Sequence, residues 1–509
     1  MKLSIPSRNF SCEIREGETL LAALARSGVS LSAPCGGRGL CGKCGVFSGG
    51  KILPACRTVA SGDISIELPA DAITGPQAPD LRGRVGGTAG EAGTADGEAG
   101  TGHVVTRIGR AGVGVDIGTT TVSAELVDLD TGETAETVSA LNDQRIFGAD
   151  VMSRIEAARE GKTPELFSLI NRQIEAMLRS FIEKHKLPKI ERLSVSGNTV
   201  MLHLFANADP SAMGKIPFTP VFLEERRFRG RDLSLSADEV YLLPGIGAFV
   251  GGDIVSGLAV LDILALPEKS LFIDIGTNGE MALWAGGRVL CCSTAAGPAF
   301  EGAEISCGTG ALPGAINKIT INGESGMAGG PDGSLRFTTI NNEPPRGICG
   351  CGLIDALAVM LKTGAIDETG ALADRFEDGW PLWVSASGNI GLSGRDVRQY
   401  QLAKSAIRSG IDLLCAAAGL KPAELDTVYI AGGLGFFIDL ENAMATGLLP
   451  AEFRGKTAVC GNLSLRGAVR SLVREDFAET CRRITGKSET MELASDPGFM
   501  DAFAENMLF

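Results

Sequence analysis

Two stretches of this 509-residue chain decide its fold, and they are copies of one pattern. They read Val113-Gly-Val-Asp116-Ile-Gly118-Thr119-Thr120-Thr121-Val-Ser-Ala-Glu-Leu-Val127 and Leu271-Phe-Ile-Asp274-Ile-Gly276-Thr277-Asn278-Gly279-Glu280-Met-Ala-Leu-Trp284. In each, an apolar strand ends in an aspartate, a Gly-Thr turn follows, and an alternating strand returns. Glycine lets the backbone approach a ligand, and successive turn N–H groups and hydroxyls can hold phosphate oxygens. The sequence therefore predicts two β-hairpins with phosphate-binding turns.

A second pair of matching segments lies downstream of the two hairpins. Each is an apolar strand that ends in a small polar or glycine turn, as in Leu193-Ser-Val-Ser-Gly197-Asn198-Thr199 and Val428-Tyr-Ile-Ala431-Gly432-Gly433-Leu434-Gly435. A single Gly-Thr turn after a strand is common in sheet proteins. Two hairpins with two matching later turns instead predict an internal duplication, in which two similar halves face each other across a ligand cleft.

A segment of unusual composition lies before the first hairpin and divides the chain into two parts. The segment GPQAPDLRGRVGGTAGEAGTADGEAGTGH consists mainly of Gly, Ala, Thr, Pro and small acids, with almost nothing to bury. Such a composition is typical of a flexible linker. We predict a small module at residues 1–72, the linker at 73–111, and two halves of a large unit at 112–268 and 269–509.

The small module has the pattern of an α+β sheet of the β-grasp kind. Strands are predicted from Lys2 to Ile5 and from Phe10 to Ile14, followed by a helix from Thr19 to Arg26 that ends before Gly28. After a cysteine-rich loop, the stretch from Asp63 to Leu68 alternates between polar and apolar residues, which indicates a returning strand.

The cysteine-rich loop points to an iron-sulfur site. It reads Cys35-Gly-Gly-Arg-Gly-Leu-Cys41-Gly-Lys-Cys44, and Cys56 follows after eleven residues. Four thiolates are what a 2Fe-2S cluster requires. A zinc site also uses Cys-x-x-Cys pairs, although usually two of them. The loop resembles that of the 2Fe-2S ferredoxin family, and this resemblance implies that Cys35, Cys41, Cys44 and Cys56 are the cluster ligands.

The whole-chain composition disfavours several classes of function. A net charge of -14 argues against nucleic-acid binding, which depends on dense Lys and Arg. The sequence contains no apolar run of the length that a membrane span needs, and no signal-peptide pattern, so a cytoplasmic location is expected. Only three histidines are present, which disfavours a multi-histidine metal centre.

The duplicated turns resemble those of the superfamily of acetate and sugar kinases, Hsp70 and actin, which has a duplicated α/β fold of the RNase H-like kind. That resemblance implies an ATPase whose two halves bind Mg²⁺ and ATP phosphates from opposite sides, with the Gly-Gly turn beneath the nucleoside. The implied catalytic carboxylates are Asp116 and Asp274. The implied nucleotide contacts are Gly118, Thr119, Thr120, Asn198, Gly276, Thr277, Asn278, Gly279, Gly432, Gly433 and Gly435.

Ferredoxin-like module, linker and ATPase together resemble the reductive activators of corrinoid-dependent methyltransferases in anaerobes. The segment from Gly394 to Ile407 shares in this resemblance. It implies ATP-dependent transfer of one electron from the 2Fe-2S cluster to a corrinoid protein, which returns Co(II) to Co(I), and a low-potential cellular electron donor. The candidate partners belong to methoxy-aromatic O-demethylase or methylamine systems. Because Gly112 follows the linker almost immediately, the extra middle domain of some relatives is expected to be absent.

Two alternative functions remain open from the sequence. One is an ATP-driven electron activator of a non-corrinoid reductase, and the other is a small-molecule kinase with a redox module. Two further segments have no assigned chemistry. Gly251-Gly252-Asp253 precedes a predicted helix, and Glu301 and Glu304 lie in a glycine-rich segment where carboxylates could meet a partner or cofactor.

Overall fold

The structure is a computed structural model, and it describes residues 1–8, 10–15, 17–27, 29–31, 44–60, 62–68, 73–74, 108–321, 326–385, 388–436 and 438–509. Most of the predicted linker lies outside these residues, as do Cys35, Cys41 and Gly28.

In its described residues, the small module contains a mixed three-stranded sheet, two further strand pairs and one α-helix. The central strand pairs antiparallel with the second strand and parallel with the sixth. Apolar side chains of the sheet and helix, including Leu3, Ile5, Leu20 and Leu24, are fully buried together. The elements are β1 (Lys2–Ile5), β2 (Phe10–Glu13), α1 (Leu20–Arg26), β3 (Val29–Ser30), β4 (Gly45–Ser48), β5 (Lys51–Pro54), β6 (Ile64–Ser65) and β7 (Ile73–Thr74). Strand and helix positions follow the sequence pattern, whereas the β-grasp assignment stays a prediction.

The first half of the large unit is a six-stranded sheet with helices. Its strands run in the order β10-β9-β8-β11-β13-β12. The elements are β8 (Ala111–Ile117), β9 (Thr121–Asp128), β10 (Thr134–Leu141), α2 (Val151–Ala157), α3 (Thr163–His185), β11 (Ile190–Gly197), α4 (Thr199–Phe205), β12 (Arg226–Arg229), β13 (Ala237–Leu242) and α5 (Gly252–Leu261).

The second half repeats this sheet and adds an insertion before α7. The order of its main sheet is β24-β23-β14-β15-β16-β25, and the insertion contains a four-stranded sheet and a hairpin. The elements are β14 (Ser270–Ile275), β15 (Gly279–Ala285), β16 (Arg288–Thr294), β17 (Ala315–Ile321), β18 (Met327–Gly329), β19 (Leu335–Thr339), β20 (Gly347–Ile348), α6 (Gly350–Lys362), β21 (Trp380–Ser385), β22 (Gly388–Leu392), α7 (Gly394–Ala417), β23 (Thr427–Ala431), α8 (Leu440–Ala445), β24 (Thr457–Gly461), α9 (Leu463–Val473), α10 (Phe477–Thr485), β25 (Ser488–Thr490) and α11 (Phe499–Glu505).

The duplication is visible in the pairing of the strands. In each half the first three strands form an antiparallel meander, and two later strands continue the sheet in parallel beyond the first strand: β11 and β13 in the first half, and β23 and β24 in the second. When the edge strands β12 and β25 are left aside, both sheets therefore have the strand order 3-2-1-4-5. The predicted duplicated α/β architecture is present, and each Asp-x-Gly-Thr turn joins the first two strands of its half.

One helix of the second half packs against the sheet of the first. Helix α9 lies so close to β8 that a Cβ atom at Gly114 would stand 2.9 Å from the backbone nitrogen of Val469. The same helix crosses α5 at Gly467, where a Cβ atom would stand 2.2 Å from the Cβ of Ser256. Glycine is needed at both positions because any side chain would separate the packed backbones. The two halves are thus held together by a close helix-on-sheet and helix-on-helix contact.

Within the described residues, no helix combines the length and the apolar character that crossing a membrane would require.

Candidate functional site

The two aspartates of the repeated turns occupy equivalent positions at the ends of β8 and β14. Asp116 pairs in register with Ser196 of β11, and Asp274 pairs with Ala431 of β23. Both are half-buried. The carboxyl ends of neighbouring parallel strands lie at one edge of a sheet, which is where α/β proteins bind ligands. Each aspartate therefore stands beside the downstream turn of its own half.

Asp116 is held by residues from the other half of the unit. Asn462 Nδ2 donates to Asp116 Oδ2 at 2.8 Å, and Ser464 Oγ donates to Asp116 Oδ1 at 2.6 Å. Ser464 also contacts Ser196 Oγ at 2.9 Å. Asn462 is the N-cap of α9, so the beginning of this helix fixes the orientation of the carboxylate. The pKa of Asp116 is raised by burial, against these two hydrogen bonds.

Four carboxyl groups gather around the cleft, and they repel one another. Burial, with added repulsion from Asp253 and Asp116, raises the pKa of Asp274 to about 8. Burial and the charge of Asp116 raise the pKa of Asp253, in the first turn of α5, to about 7. The pKa of Glu280 is likewise raised, by burial and by Asp253 and Asp274. Such a cluster is short of positive charge, which a bound cation would supply.

The carboxylates of the cleft could bind Mg²⁺ only together with further ligands, such as water or phosphate oxygens, that complete the coordination of the ion. Among the described residues, no three His, Cys, Asp or Glu side chains are arranged to hold a metal ion by themselves. Magnesium is typically bound by one or two carboxylates together with water and phosphate oxygens. Asp116 and Asp274 would be suitable carboxylates in such an arrangement.

A fifth carboxylate, Glu301, joins the two predicted phosphate turns. Thr120 of the first turn donates its hydroxyl hydrogen bond to Glu301 Oε2. Thr277 of the second turn lies 2.8 Å from both carboxylate oxygens of Glu301. Burial raises the pKa of Glu301, and the two threonine hydroxyls oppose that shift. The structure thus brings Thr120 and Thr277 to one acceptor from opposite halves of the unit.

The predicted Gly-Gly turn follows β23 beside Asp274. Gly432 has a φ of 92°, and a Cβ atom there would lie 2.6 Å from Asp274 Oδ1. Only glycine fits this combination of backbone angle and close approach. Gly433 is exposed, and a Cβ atom there would meet no atom within 4 Å. Gly435 continues the same short helical turn. Open space at Gly433 is what a flat ligand such as a nucleoside base would need.

Several predicted contacts have roles within the fold. Asn198 is the buried N-cap of α4 and accepts a 3.0 Å hydrogen bond from Val200 N. Gly118 N donates to Thr121 O at 2.9 Å, and Gly276 N donates to Asn278 O at 2.9 Å, which closes each turn. A Cβ atom at Gly279 would lie 2.9 Å from Ile407 of α7.

Thr119 is supported by an arginine that the sequence did not single out. Its carbonyl accepts a hydrogen bond from Arg154, whose side chain is fully buried and whose Nε donates to Gly148 O at 3.2 Å. Burial lowers the pKa of Arg154 to about 9. The buried side chain of Arg154 therefore stabilises the backbone of the first turn.

Sequence reasoning missed the site roles of several residues. They are Arg154, Asp253, Glu280, Glu301, Asn462 and Ser464. The glycine-flanked Asp253 and Glu301 were visible as motifs without a role. Glu280 directly follows the second turn, where its apolar neighbours could have marked it as an unusual buried acid. Arg154, Asn462 and Ser464 carry no local signal.

Two of the four predicted cluster ligands are in the described part of the small module. Cys44 begins the β4–β5 hairpin region and Cys56 follows it, and both are buried. Ala55 N donates to Cys44 O at 2.9 Å, which ties the two ends of the hairpin together. Cys35 and Cys41 lie outside the described residues.

Comparisons with known proteins match most of the chain. The family described as the C-terminal domain of RACo, the ASKHA domain, matches residues 268–509, and the RACo middle region matches residues 111–265. The corrinoid activation enzyme RamQ of Eubacterium limosum is 33% identical over 431 residues, which are 78% of this chain and 70% of RamQ. The reductase of the Co(II) methylated amine-specific corrinoid protein from Methanosarcina barkeri is 30% identical over 411 residues, or 74% of this chain and 73% of that reductase.

One solved structure resembles the chain along its whole length. It is a reductive activator for corrinoid, iron-sulfur protein, with a TM-score of 0.71 and 27% identity, covering 100% of this chain and 98% of that one. The match to the RACo middle region occupies β8 to α5. This region coincides with the predicted first half of the large unit, and the expectation that no extra domain lies between the linker and Gly112 stays a prediction.

Proposed function

Because the chain belongs to the RACo family of reductive activators of corrinoid proteins, we propose that it uses ATP to drive a one-electron reduction of its corrinoid partner from Co(II) to Co(I). The relatives named above act on corrinoid proteins. What we propose in addition is that ATP supplies the energy and that the electron passes through the small module. The observation that carries ATP dependence is the convergence of the two Asp-x-Gly-Thr turns on Glu301.

The residues of the cleft divide into three roles. Asp116 and Asp274 would bind Mg²⁺ between the halves, with Asn462 and Ser464 orienting Asp116. The turns containing Gly118, Thr119 and Thr120 and containing Gly276, Thr277, Asn278 and Gly279 would hold the phosphates, with Asn198 at the edge of the first sheet. Gly432, Gly433 and Gly435 would lie beneath the nucleoside. The raised pKa values of Asp253 and Asp274 support this assignment, since burial and repulsion between the carboxylates raise them and a bound Mg²⁺ would stabilise the charged forms.

The small module would supply the electron. Cys35, Cys41, Cys44 and Cys56 would hold a 2Fe-2S cluster, which when bound supplies one electron for the reduction of Co(II) to Co(I). A low-potential cellular donor replaces that electron. Each ~59 mV by which the cobalt couple lies below the donor opposes this transfer by a factor of ten in the equilibrium constant, so an energy source is needed.

ATP would act by changing the closure of the two halves. Ligands that bind both halves favour the closed arrangement, and a corrinoid partner that binds one arrangement better is thereby captured or released. Because α9 of the second half packs on β8 of the first, a movement of the two halves would shift α9 and with it the hydrogen bond from Asn462 to Asp116.

The test mixes the anaerobically reduced protein with a purified corrinoid protein in the Co(II) state and follows cobalt absorbance with and without Mg-ATP. We expect ATP-dependent formation of Co(I), which Asp116→Asn and Cys56→Ser abolish and Cys12→Ser preserves. Co(I) formation at the same rate without ATP would contradict the role of the cleft. ATP-dependent phosphorylation of a metabolite, with no cobalt reduction, would favour the kinase alternative, and reduction of an iron-sulfur reductase instead would favour the non-corrinoid one.

A further inference from the structure

The carboxylate of Glu301 stands where two ligand-binding turns meet, and nothing in the proposed ATP reaction requires it there. We propose that Glu301 is an intramolecular competitor of ATP, which holds the hydroxyls of Thr120 and Thr277 until the nucleotide phosphates displace it. This inference rests on the proposed function, because it concerns the same cleft. It assigns Glu301 as the residue that sets nucleotide affinity.

The competition follows from the number of protons available. A threonine hydroxyl has one proton to donate, so it can serve one strong acceptor at a time. Thr120 donates to Glu301 Oε2, and Thr277 Oγ lies 2.8 Å from each carboxylate oxygen of the same residue. Phosphate oxygens are acceptors only. If these two hydroxyls donate to phosphate, they must stop donating to Glu301.

Charge acts in the same direction as hydrogen bonding. Glu301 and a bound phosphate are both anionic, and the half-buried cleft screens them less than water does. Arg154 lies near enough to favour the ionised form of Glu301. Its guanidinium, however, donates to the carbonyls of Thr119 and Gly148 and to Gln144 Oε1 within the first half, rather than to the Glu301 carboxylate. A phosphate bound to both turns therefore drives Glu301 out.

The backbone on the two sides of Glu301 differs in packing: it is open before the residue, at Gly297, and tightly packed after it, at Gly302. The short helical turn Pro298–Glu301 lies between Gly297 and Gly302, both with a φ of 76°. A Cβ atom at Gly297 would meet nothing within 4 Å, whereas at Gly302 it would stand 2.3 Å from the carbonyl oxygen of Thr309. Rotation is thus easier at Gly297, because the chain after Glu301 is packed.

A buried aspartate anchors the far end of the loop. Asp396 accepts hydrogen bonds from the backbone nitrogen and hydroxyl of Ser306, at 2.6 and 2.7 Å. It also forms the capping box of α7 with Ser393. This anchor, together with the packing at Gly302, keeps the chain after Glu301 in place, so that displacement of Glu301 is confined to its side chain and to the turn Pro298–Glu301.

The expected selectivity is for ligands that reach both turns. A triphosphate can offer oxygens to Thr120 and Thr277 and displace Glu301, whereas adenosine has no phosphate to do so. Glu301 should consequently weaken the binding of ATP and leave that of adenosine unaffected.

Binding of a non-hydrolysable ATP analogue and of adenosine, measured by calorimetry with Mg²⁺ on the full chain, tests this proposal. Glu301→Gln removes the charge and leaves one acceptor oxygen, so we expect the analogue to bind roughly tenfold tighter, as loss of a hydrogen-bonded charged acceptor predicts. Glu301→Asp keeps the charge but is too short to reach both hydroxyls, and it should give a smaller gain in the same direction. Adenosine affinity should not change in either variant.

Glu304→Gln is the matched control, because Glu304 is an exposed carboxylate in the same loop. An equal gain in the control would mean that net charge, and not the bridge, sets affinity, and would overturn the proposal. Unchanged or weaker binding in folded Glu301→Gln or Glu301→Asp would also overturn it, with the proposed function intact. Failure of the unaltered chain to bind the analogue would instead remove the proposed function and this inference together.

Discussion

The side-chain amide of Asn462 donates a 2.8 Å hydrogen bond to the carboxylate of Asp116, although 346 residues separate them. The same side chain accepts a 2.8 Å hydrogen bond from Leu465 N and so caps α9. One residue of the second half therefore begins a helix and orients the acid of the first half. Cleft geometry and helix formation are coupled at this residue.

Substitutions at Asn462 can separate these two roles. Serine and aspartate are both good N-caps, so α9 should remain formed in Asn462→Ser and Asn462→Asp. Serine is too short to reach Asp116, and we expect roughly tenfold lower ATPase activity, as loss of one hydrogen bond to a charged group predicts. Aspartate adds repulsion and should lower activity further. Steady-state ATPase assays together with melting temperatures check this order, and equal activities in all three proteins would contradict it.

His203 should make the stability of the large unit sensitive to acid. Burial lowers its pKa to about 4, and its ring stacks on Phe222 and accepts a 2.9 Å hydrogen bond from Val221 N. The unfolded chain takes up this proton near pH 6.5, so unfolding is favoured as the pH falls from about 6.5 to about 4. At pH 5 the loss from this group is about 2 kcal/mol.

The measurement compares denaturant unfolding of the unaltered chain and His203→Asn at pH 7 and pH 5. The variant should be less stable at pH 7, but its further loss at pH 5 should be smaller by about 2 kcal/mol. Carboxyl groups with raised pKa values, such as Asp355, act in the opposite direction and cancel in this comparison. Identical losses in both proteins would exclude His203 as the source.

The adjacent glycines Gly432 and Gly433 should respond differently to substitution. Gly432→Ala places a Cβ atom against Asp274 at a φ of 92°, and we expect a loss of about 1–3 kcal/mol of stability. Gly433→Val projects into open space, so the melting temperature should hold while nucleotide affinity falls roughly tenfold. Thermal unfolding and nucleotide titration of both variants check this contrast. A Gly433→Val protein that binds ATP normally would place the nucleoside elsewhere.

The cysteines of the small module provide a test of the cluster. Cys44→Ser and Cys56→Ser should each abolish the visible absorption and the iron content obtained on anaerobic reconstitution, because each would remove one of four thiolate ligands. Cys12→Ser, a half-buried cysteine on β2 of the same module, is the control and should keep both. Zinc retention without iron would favour the zinc alternative, and an unaltered spectrum in Cys56→Ser would exclude this residue as a ligand.

Local patterns made much of the fold predictable. The alternation after Asp116 and Asp274 specified two hairpins, and their repetition indicated the duplicated sheets. Helix α7 likewise begins where a local signal stands, because Ser393 and Asp396 form a capping box at its first turn. Such features depend on neighbours within a few residues, which sequence displays directly.

The contacts that complete the site were not predictable in this way. Glu301 is 181 residues from Thr120, and Asn462 and Ser464 reach Asp116 from the other half. Their side chains are ordinary in local context, and only the packing of the two halves gives them a role. Asn198 shows the reverse case, since the residue predicted to contact nucleotide is also the cap of α4.

The packing of α9 on the sheet of the first half also affects how the protein folds during translation. β8 and Asp116 leave the ribosome early, but the residues that cover and orient them follow 346 positions later. At about 5–20 residues per second, this interval is roughly 20 to 70 s. During that time the surface of β8 on which α9 packs is not covered by that helix, so chaperone protection during translation should matter more here than for the hairpins themselves.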